Sequence, residues 1–238
     1  MTLALVALAI VIVSGVLIWW LVFETEGVYL GKRAVIWLYD VYATRYDRIV
    51  QHDDFEEHMT LAQPLLNRCR PHTNPRLLDV ATGTGRIPLA LCQHARFDGH
   101  IIALDRSRGM LAQAERKISD EHFETFVTFI WGDGQHLPFP DDSFDVVTCM
   151  EALEFMPQPE QALGELARVL RPGGLLLTTQ RINQPFMPDR IWSQAQMQTH
   201  MEAVGLAQVT FEAWQYDYTQ VWARKIGSSR FIGIGESG

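Results

Sequence analysis

The sequence predicts an α/β protein in which a mostly parallel β-sheet carries helices on both faces and follows one transmembrane helix. An apolar run occupies residues 3–23, and short apolar strands alternate with amphipathic helices after Pro75. Such alternation implies parallel strands joined by helical crossovers. The last two predicted strands are separated by only a few residues, which favours an antiparallel pair at the end of the sheet.

The composition is that of an ordinary globular protein. The 238 residues are 47% hydrophobic and 20% charged, with a formal net charge of -8. This acidic balance gives no general attraction to nucleic-acid phosphates, so we expect no nucleic-acid partner. Cys69, Cys92 and Cys149 are widely spaced, which argues against a disulfide framework and against structural zinc. We therefore expect no metal and a reducing compartment.

The apolar run from Leu3 to Phe23 is long enough to cross a bilayer. Its 21 residues would span roughly 31 Å as a helix, against a hydrocarbon core of ~30 Å. No basic residue precedes the run and no small-residue cleavage site follows it, which favours a retained anchor over a cleaved signal peptide. A core helix is the third interpretation, and it would need burial on every side.

The basic residues that flank the run predict its orientation. They all follow it in the sequence, so the positive-inside rule predicts a single-pass membrane protein whose main domain lies in the cytoplasm. These residues are Lys32, Arg33, Arg45 and Arg48.

The segment between the anchor and the first strand is predicted to be helical. Residues 35–50 have apolar and aromatic positions at roughly helical spacing, as in a helix on the membrane, a lid on the domain, or both. A second helix is predicted over 54–70, with Asp53 or Asp54 as its cap and a kink at Pro64. We expect an anchor in 1–23, a juxtamembrane or lid segment in 24–56, the main domain in 57–226 and a flexible tail in 227–238.

Seven strands and four helices are predicted in the main domain. Ser107 is the expected cap of the second of these helices, and the Arg171-Pro172-Gly173-Gly174 segment is expected to stop the third. The strands are 76–80, 100–105, 126–131, 144–150, 175–179, 207–214 and 218–223, and the helices are 86–94, 107–119, 159–170 and 191–204.

A glycine loop and two acids mark a candidate ligand site. Gly83 and Gly85 follow the first strand, which Asp79 and Val80 end, and Asp105 ends the second strand. Ligands of open α/β sheets bind beyond the carboxyl ends of the strands, where a carboxylate can accept both ribose hydroxyls. A dinucleotide site would need a third glycine, whereas the chain has Leu89 or Ala90 there. Asp79 suits a cationic amino group better than a diphosphate, so a nucleoside without phosphates is favoured.

Four segments in order resemble a known family. They are DVATGTGR from Asp79, ALDRSRGML from Ala103, GDGQHLPFPDDSFDVV from Gly132 and ARVLRPGGLLLTT from Ala167. Together they resemble the class I S-adenosylmethionine-dependent methyltransferases, in particular the ubiquinone/menaquinone-biosynthesis type, over about 150 residues. The resemblance implies a Rossmann-like seven-stranded sheet with an antiparallel last strand, and S-adenosylmethionine as cofactor.

The resemblance also implies roles for individual residues. Asp79 would hold the methionine amino group, Asp105 the ribose hydroxyls and Asp133 the adenine amino group. The other expected cofactor residues are Ala81, Gly83, Thr84, Gly85, Arg106, Gly134 and Met150. Two departures matter: Ala81 stands where many members have glycine, and Leu153-Glu154-Phe155-Met156 lacks a histidine often found near the substrate.

The sequence offers three candidates for the residues that contact the methyl acceptor. Tyr39, Tyr46 and Glu151 are the candidate substrate-lining residues, since Tyr-Asp helices of this kind precede the glycine loop in many relatives. His136 is another candidate near the mouth, and no catalytic base is assigned.

The predicted function is a membrane-anchored S-adenosylmethionine-dependent methyltransferase acting on a small lipophilic acceptor, a quinone precursor or a lipid headgroup. Two alternatives stay open. One is a membrane-anchored NAD(P)-dependent oxidoreductase, and the other is a non-catalytic nucleoside-binding module.

Overall fold

A seven-stranded sheet forms the centre of the protein. A computed structural model describes residues 2–50, 54–69, 74–183, 187 and 191–227. The strand order is β3-β2-β1-β4-β5-β7-β6. Strands β1 to β5 pair in parallel, whereas β7 is antiparallel to both β5 and β6. The predicted mixed sheet with an antiparallel last strand is therefore confirmed. The strands are β1 (Arg76–Val80), β2 (His100–Asp105), β3 (Val127–Trp131), β4 (Phe144–Cys149), β5 (Leu170–Arg181), β6 (Leu206–Ala213) and β7 (Tyr218–Lys225).

Helices cover both faces of the sheet, because successive strand residues point to opposite faces. In β1, Leu77 packs into one core and Leu78 into the other. Helices α4, α5 and α6 pack on the side of Leu77, and α7 and α8 on the side of Leu78. The helices are α1 (Thr2–Trp19), α2 (Lys32–Val50), α3 (Asp54–Glu57), α4 (Gln63–Arg68), α5 (Arg86–Cys92), α6 (Arg108–Asp120), α7 (Pro159–Val169) and α8 (Gln194–Ala203).

The first helix stands apart from this core. Residues Ala4–Val22 have a mean hydropathy of 2.8 and are long enough to cross a membrane, and none of this segment is buried in the protein. Leu5 and Val13 are 60% and 66% exposed. The interpretation of this segment as a core helix is therefore wrong, because a core helix must be covered by other parts of the chain.

A tight turn joins this helix to α2. A π-helical turn at Trp20–Glu24 extends α1, and a short 3₁₀ helix at Val28–Leu30 precedes α2. Between them, Glu26 and Gly27 adopt left-handed backbone angles, with φ of 49° and 74°. Val28 is buried, so the chain already packs onto the domain at this point.

Two predicted elements differ in detail. The helix expected over 54–70 is divided by a π-helical turn at His58–Ala62, immediately before the Pro64-containing first turn of α4. Strand β5 starts at Leu170, directly after α7, because Leu170 pairs with Phe144 and a bulge absorbs the Pro-Gly-Gly segment. Asp53, Arg70 and nearly all of the predicted tail lie outside the described residues.

The three cysteines are free thiols. Cys69 and Cys149 are buried, and Cys92 is half-buried against the core on the α5 side.

Candidate functional site

A cleft opens at the carboxyl ends of the parallel strands, between β1 and β4. Strands β2 and β3 lie on one side of β1, and β4 begins the other side of the sheet. Its empty space is about 1150 Å³, a figure that includes open solvent at the mouth. Nine of the ten predicted cofactor residues line it: Asp79, Ala81, Gly83, Thr84, Asp105, Arg106, Asp133, Gly134 and Met150.

The loop after β1 forms one wall of the cleft. Ala81 has φ of 57°, a left-handed conformation that glycine adopts without strain, which fits the glycine that the resemblance implies at this position. Gly83 also has a positive φ, and nothing lies within 4 Å of the position that a Cβ would occupy. The space above Gly83 is thus open for a ligand to approach the backbone.

Gly85 is the predicted cofactor residue that is not among the cleft-lining residues. It precedes α5 with φ of 82°, and a Cβ at this position would lie 3.0 Å from the Cβ of Ala114. Close packing of α5 on α6 therefore accounts for this glycine.

Asp79 is a buried carboxylate at the end of β1. Its two oxygens accept hydrogen bonds from the hydroxyls of Thr82 and Thr148, each at 2.6 Å. Burial raises the pKa of Asp79 to about 6, although both hydroxyls oppose the shift. A cationic amino group beside this carboxylate would stabilise its charged form, which fits the predicted partner.

Asp105 is a second buried carboxylate, at the end of β2. It accepts hydrogen bonds from the backbone N–H groups of Gly83 at 2.8 Å and Ser107 at 2.7 Å. Burial raises its pKa, and these N–H groups act in the opposite direction. Each carboxylate oxygen keeps acceptor capacity for a further donor, so two ribose hydroxyls can be accommodated.

Asp133 is engaged by a residue that the sequence analysis did not assign to the site. The Lys32 ammonium, from the first turn of α2, forms an ion pair with its carboxylate. Burial pushes the pKa of Asp133 upward, but Lys32 and the Gln135 N–H outweigh it and hold the pKa below its ordinary value. An adenine amino group would therefore share or displace the contact with Lys32.

The remaining predicted cofactor residues surround these acids. Arg106 stacks on Trp131, with its guanidinium carbon 4.8 Å from the ring centroid. Gly134 has no room for a side chain, since a Cβ would lie 2.9 Å from Val80. Met150 is only 9% exposed and belongs to the core as well as to the cleft wall.

Helix α2 forms the outer wall of the cleft. Asp40 accepts hydrogen bonds from the Ser107 hydroxyl at 2.5 Å and the Gly109 N–H at 2.9 Å. Two helical turns further along α2, Asp47 accepts a hydrogen bond from the Thr84 hydroxyl at 2.5 Å and forms an ion pair with Lys117 at 2.9 Å. The seven-residue spacing of the two Tyr-Asp pairs is the sequence signal for this face, because residues two helical turns apart lie on one side of a helix.

The three predicted substrate-lining residues also lie in the cleft. Tyr39 and Tyr46 extend from α2 with ring centroids 6.2 Å apart. Glu151 follows β4 with φ of 50°, and its carboxylate pairs with Arg86 at 2.6 Å. His136 is exposed beside Asp133 and is not one of the cleft-lining residues.

The site contains carboxylates and backbone amides and is not arranged as a metal centre. Within the described ranges, no group of three or more His, Cys, Asp or Glu side chains is placed to hold a metal ion. The two buried acids and the open face of Gly83 fit a ligand with a cationic amino group and ribose hydroxyls, as S-adenosylmethionine has.

Residues 78–178 match the sequence family described as a methyltransferase domain. The matched region holds most of the cleft floor, from β1 to β5. The chain therefore contains a methyltransferase domain, and S-adenosylmethionine is the cofactor that the resemblance implies for it. The predicted resemblance, enzyme class and cofactor are confirmed.

Individual relatives narrow the comparison. The chain is 34% identical over 152 residues to a demethylmenaquinone methyltransferase of Lactiplantibacillus plantarum, covering 63% of this chain and 64% of the relative. It is 32% identical over 157 residues to a ubiquinone/menaquinone biosynthesis C-methyltransferase of Roseobacter denitrificans, covering 65% and 62%. The chain thus spans slightly less than two thirds of the length of these relatives.

A solved structure shares the fold. A S-adenosylmethionine-dependent methyltransferase from Aquifex aeolicus superimposes with a TM-score of 0.63 at 19% identity, covering 79% of this chain and 98% of the other. At this identity the likeness concerns the fold alone.

Proposed function

We propose that the whole chain is a membrane-anchored methyltransferase that transfers the methyl group of S-adenosylmethionine to a small lipophilic acceptor. The observation that carries this proposal is the wall of the cleft formed by α2, which is joined to the apolar N-terminal helix by a short turn. Cofactor residues and a membrane-proximal helix thus enclose the same space.

The residues of the cleft would act mainly by positioning. When bound, S-adenosylmethionine supplies a methyl group on a positively charged sulfur, already activated for displacement. Asp79 would hold the amino group, Asp105 the ribose and Asp133 the adenine. Fixing the donor in this way lets orientation supply most of the rate enhancement. Met150 would lie beside the methyl group.

We infer that the apolar helix anchors the domain on the cytoplasmic face of a membrane. The helix Ala4–Val22, of which nothing is buried in the protein, supports this, because an uncovered apolar surface of that length needs a lipid environment. Trp20 stacks on Tyr29 with centroids 5.3 Å apart, at the end of the helix where aromatic rings suit the headgroup region. The anchor would comprise 1–23, the lid 24–56 and the catalytic domain 57–226.

The outer face of α2 supports a position close to the bilayer. Arg33 and Arg45 are exposed there, and Trp37 and Val41 between them are 62% and 53% exposed. Basic and aromatic side chains on one helical face favour an anionic lipid surface. A lipid-dissolved acceptor would then enter beside α2 without crossing water, as the quinone-type acceptors of the named relatives would require.

Cofactor binding is the first test of the proposal. Isothermal titration of the full chain in detergent or nanodiscs should show binding of S-adenosylmethionine and S-adenosylhomocysteine and none of NADH. Binding of NADH alone would support the oxidoreductase alternative. Binding of S-adenosylmethionine without turnover on any membrane extract would support a nucleoside-binding module.

The role of the anchor is tested by comparing the full chain with a variant that lacks residues 2–22. Both are assayed on demethylmenaquinone, chemically reduced, in phospholipid vesicles. The full chain should be faster on the vesicle-borne acceptor, whereas cofactor affinity should be the same. Equal rates per bound cofactor would show that the anchor localises the enzyme and does not deliver the acceptor.

A further inference from the structure

Glu26 places a half-buried carboxylate beside a residue that lines the cleft. It lies in the turn between the apolar helix and α2, where its own φ is 49° and that of Gly27 is 74°. A left-handed conformation is strained at a non-glycine residue. A Cβ at Gly27 would lie 2.7 Å from Leu38, so the turn is packed tightly on α2. The turn thus holds Glu26 against α2 at a cost in backbone strain.

Tyr39 connects this carboxylate to the cleft. Its hydroxyl donates a hydrogen bond to the Glu26 Oε2 at 2.5 Å, and Tyr39 lines the cleft whereas Glu26 does not. The Tyr39 ring is held by Tyr46 and by Phe155, with centroids 6.2 and 6.5 Å away. The Tyr39 ring is therefore fixed in the cleft wall, with its hydroxyl on the Glu26 carboxylate.

The other acidic groups of the cleft are engaged differently. Glu151 pairs with the Arg86 guanidinium, and Asp133 with the Lys32 ammonium. Asp105 accepts from two backbone N–H groups. Asp79 accepts from the hydroxyls of Thr82 and Thr148 and is the residue assigned to the cofactor amino group. Glu26 accepts from the phenol hydroxyl of Tyr39, a residue assigned to the acceptor side, and this hydroxyl can pass a proton on to it.

The surroundings of Glu26 favour proton uptake. Burial raises the pKa of its carboxyl, while the hydrogen bond from Tyr39 and the charge of Arg181 act in the opposite direction. A carboxylate with a raised pKa is a stronger proton acceptor near neutral pH. The titratable groups that act on Glu26 are Tyr39, Tyr46, Glu151, Glu154 and Arg181.

We propose that Tyr39 and Glu26 form a proton relay that deprotonates a hydroxyl-bearing acceptor, a phenol, hydroquinone or enol, during methyl transfer. The inference rests on the proposed function and specifies its substrate class. The acceptor O–H bond breaks and its proton passes to the Tyr39 oxygen, while the Tyr39 proton passes to the Glu26 carboxylate. The acceptor becomes an oxyanion, whose oxygen or conjugated carbon forms the bond to the methyl carbon as the carbon–sulfur bond breaks.

The charges and protons balance. The acceptor oxyanion and the sulfonium cation neutralise each other, and Glu26 later releases its proton to water. When carbon is methylated, the ring carbon loses its hydrogen as a second proton, and the acceptor oxygen regains one. Tyr39 is the catalytic residue in contact with the acceptor, and Glu26 acts through it.

Conservative variants of the full chain test the relay in vesicles that contain reduced demethylmenaquinone and saturating S-adenosylmethionine. In Glu26→Gln the amide oxygen still accepts a hydrogen bond from the Tyr39 hydroxyl, but the side chain cannot take up a proton. Tyr39→Phe keeps the aromatic ring and removes the hydroxyl. Both should lower kcat about 100-fold or more, the usual range for a general base. The Kd for S-adenosylmethionine should stay within about twofold. Wild-type kcat should fall as the pH is lowered through the raised pKa of Glu26, and Glu26→Gln should lose this dependence.

Glu165→Gln is the matched control. Glu165 is also a half-buried glutamate, and it accepts hydrogen bonds from the Leu137 N–H at 2.7 Å and from Arg168 at 2.6 Å, but it does not line the cleft. Its kcat should stay within about threefold of wild type. Equal kcat values for wild type and Glu26→Gln, with an unchanged pH profile, would overturn the relay.

Infrared spectroscopy provides a readout without turnover. At a pH below the raised pKa of Glu26, where its carboxyl is protonated, the carbonyl band, identified by its loss in Glu26→Gln, should shift when 1-naphthol is added to wild type and not when it is added to Tyr39→Phe. If wild type does not methylate the quinone but this shift is present, the proposed acceptor fails and the relay stands. An unshifted band in wild type would overturn the relay whatever the turnover result.

Discussion

Replacing Asp105 by Asn tests the assignment of the ribose site. The Asp105 carboxylate accepts hydrogen bonds from the N–H groups of Gly83 and Ser107 and is 9% exposed. An asparagine of the same shape has one oxygen and one NH₂ group, so one of these two N–H groups would face another donor. The variant therefore removes an acceptor for the loop backbone and weakens the acceptor for the ribose.

The expected magnitudes follow from those contacts. Leaving one buried N–H without its acceptor costs about 1–3 kcal/mol of unfolding free energy. Weakening the hydrogen bonds to the ribose hydroxyls should cost a similar ~1–3 kcal/mol of binding, which corresponds to roughly 5- to 150-fold in Kd.

Calorimetric titration with S-adenosylmethionine and urea unfolding measure the two effects separately. Asp98→Ala is the control, because Asp98 accepts from the backbone N–H of Asn74 at 2.8 Å on the exposed surface. Water can replace that acceptor, so the control should change stability by less than about 0.5 kcal/mol and leave the Kd unchanged. A Kd for Asp105→Asn equal to that of wild type would refute the ribose assignment.

Three further predictions follow from the site. Lys32→Met should bind S-adenosylmethionine about 2- to 5-fold more tightly in calorimetric titrations. The reason is that a partly exposed ion pair of ~0.5–1 kcal/mol no longer competes for Asp133. Weaker binding would instead show that Lys32 takes part in holding the cofactor. Burial raises the pKa of Asp79 from 3.8 to about 6, so between these two pH values the folded chain keeps a proton that the unfolded chain has lost. The free energy of unfolding should therefore fall as the pH rises from 3.8 to about 6. Urea titrations should show a smaller fall in Asp79→Asn, and an identical fall would contradict the buried environment of Asp79. The variant that lacks residues 2–22 should be a soluble, folded protein with the wild-type Kd for S-adenosylmethionine. An unfolded variant would show that the apolar helix is needed for the stability of the domain.

The sheet was predictable because its signals are local. In β1 and β2, short apolar runs end in an acid, and the structure places both strands at the predicted residues. Ser107 was predicted as the cap of α6, and its hydroxyl accepts from the Met110 N–H at 3.1 Å. Strand β5 was predicted too short because Pro-Gly-Gly normally ends an element, whereas here pairing with β4 continues the strand through a bulge.

The contacts of α2 could not be predicted from local sequence. Lys32 and Asp133 are distant in the chain, and only the packing of α2 over the cleft brings them together. Glu26 carries no site signal in the local sequence, and its hydrogen bond with Tyr39 depends on the left-handed turn before α2. Gly85 belongs to a cofactor motif in the sequence, but the structure explains it through its contact with Ala114.

Methyl transfer to a membrane-borne acceptor is the central claim, and one measurement tests it most directly. The full chain is reconstituted in phospholipid vesicles with reduced demethylmenaquinone and methyl-labelled S-adenosylmethionine, and the label is followed by mass spectrometry of the extracted quinone. The label should appear in the quinone in proportion to the S-adenosylhomocysteine formed, and Asp105→Asn should slow its appearance at limiting cofactor. An unlabelled quinone, with no S-adenosylhomocysteine formed by a protein that binds S-adenosylmethionine, would contradict the account.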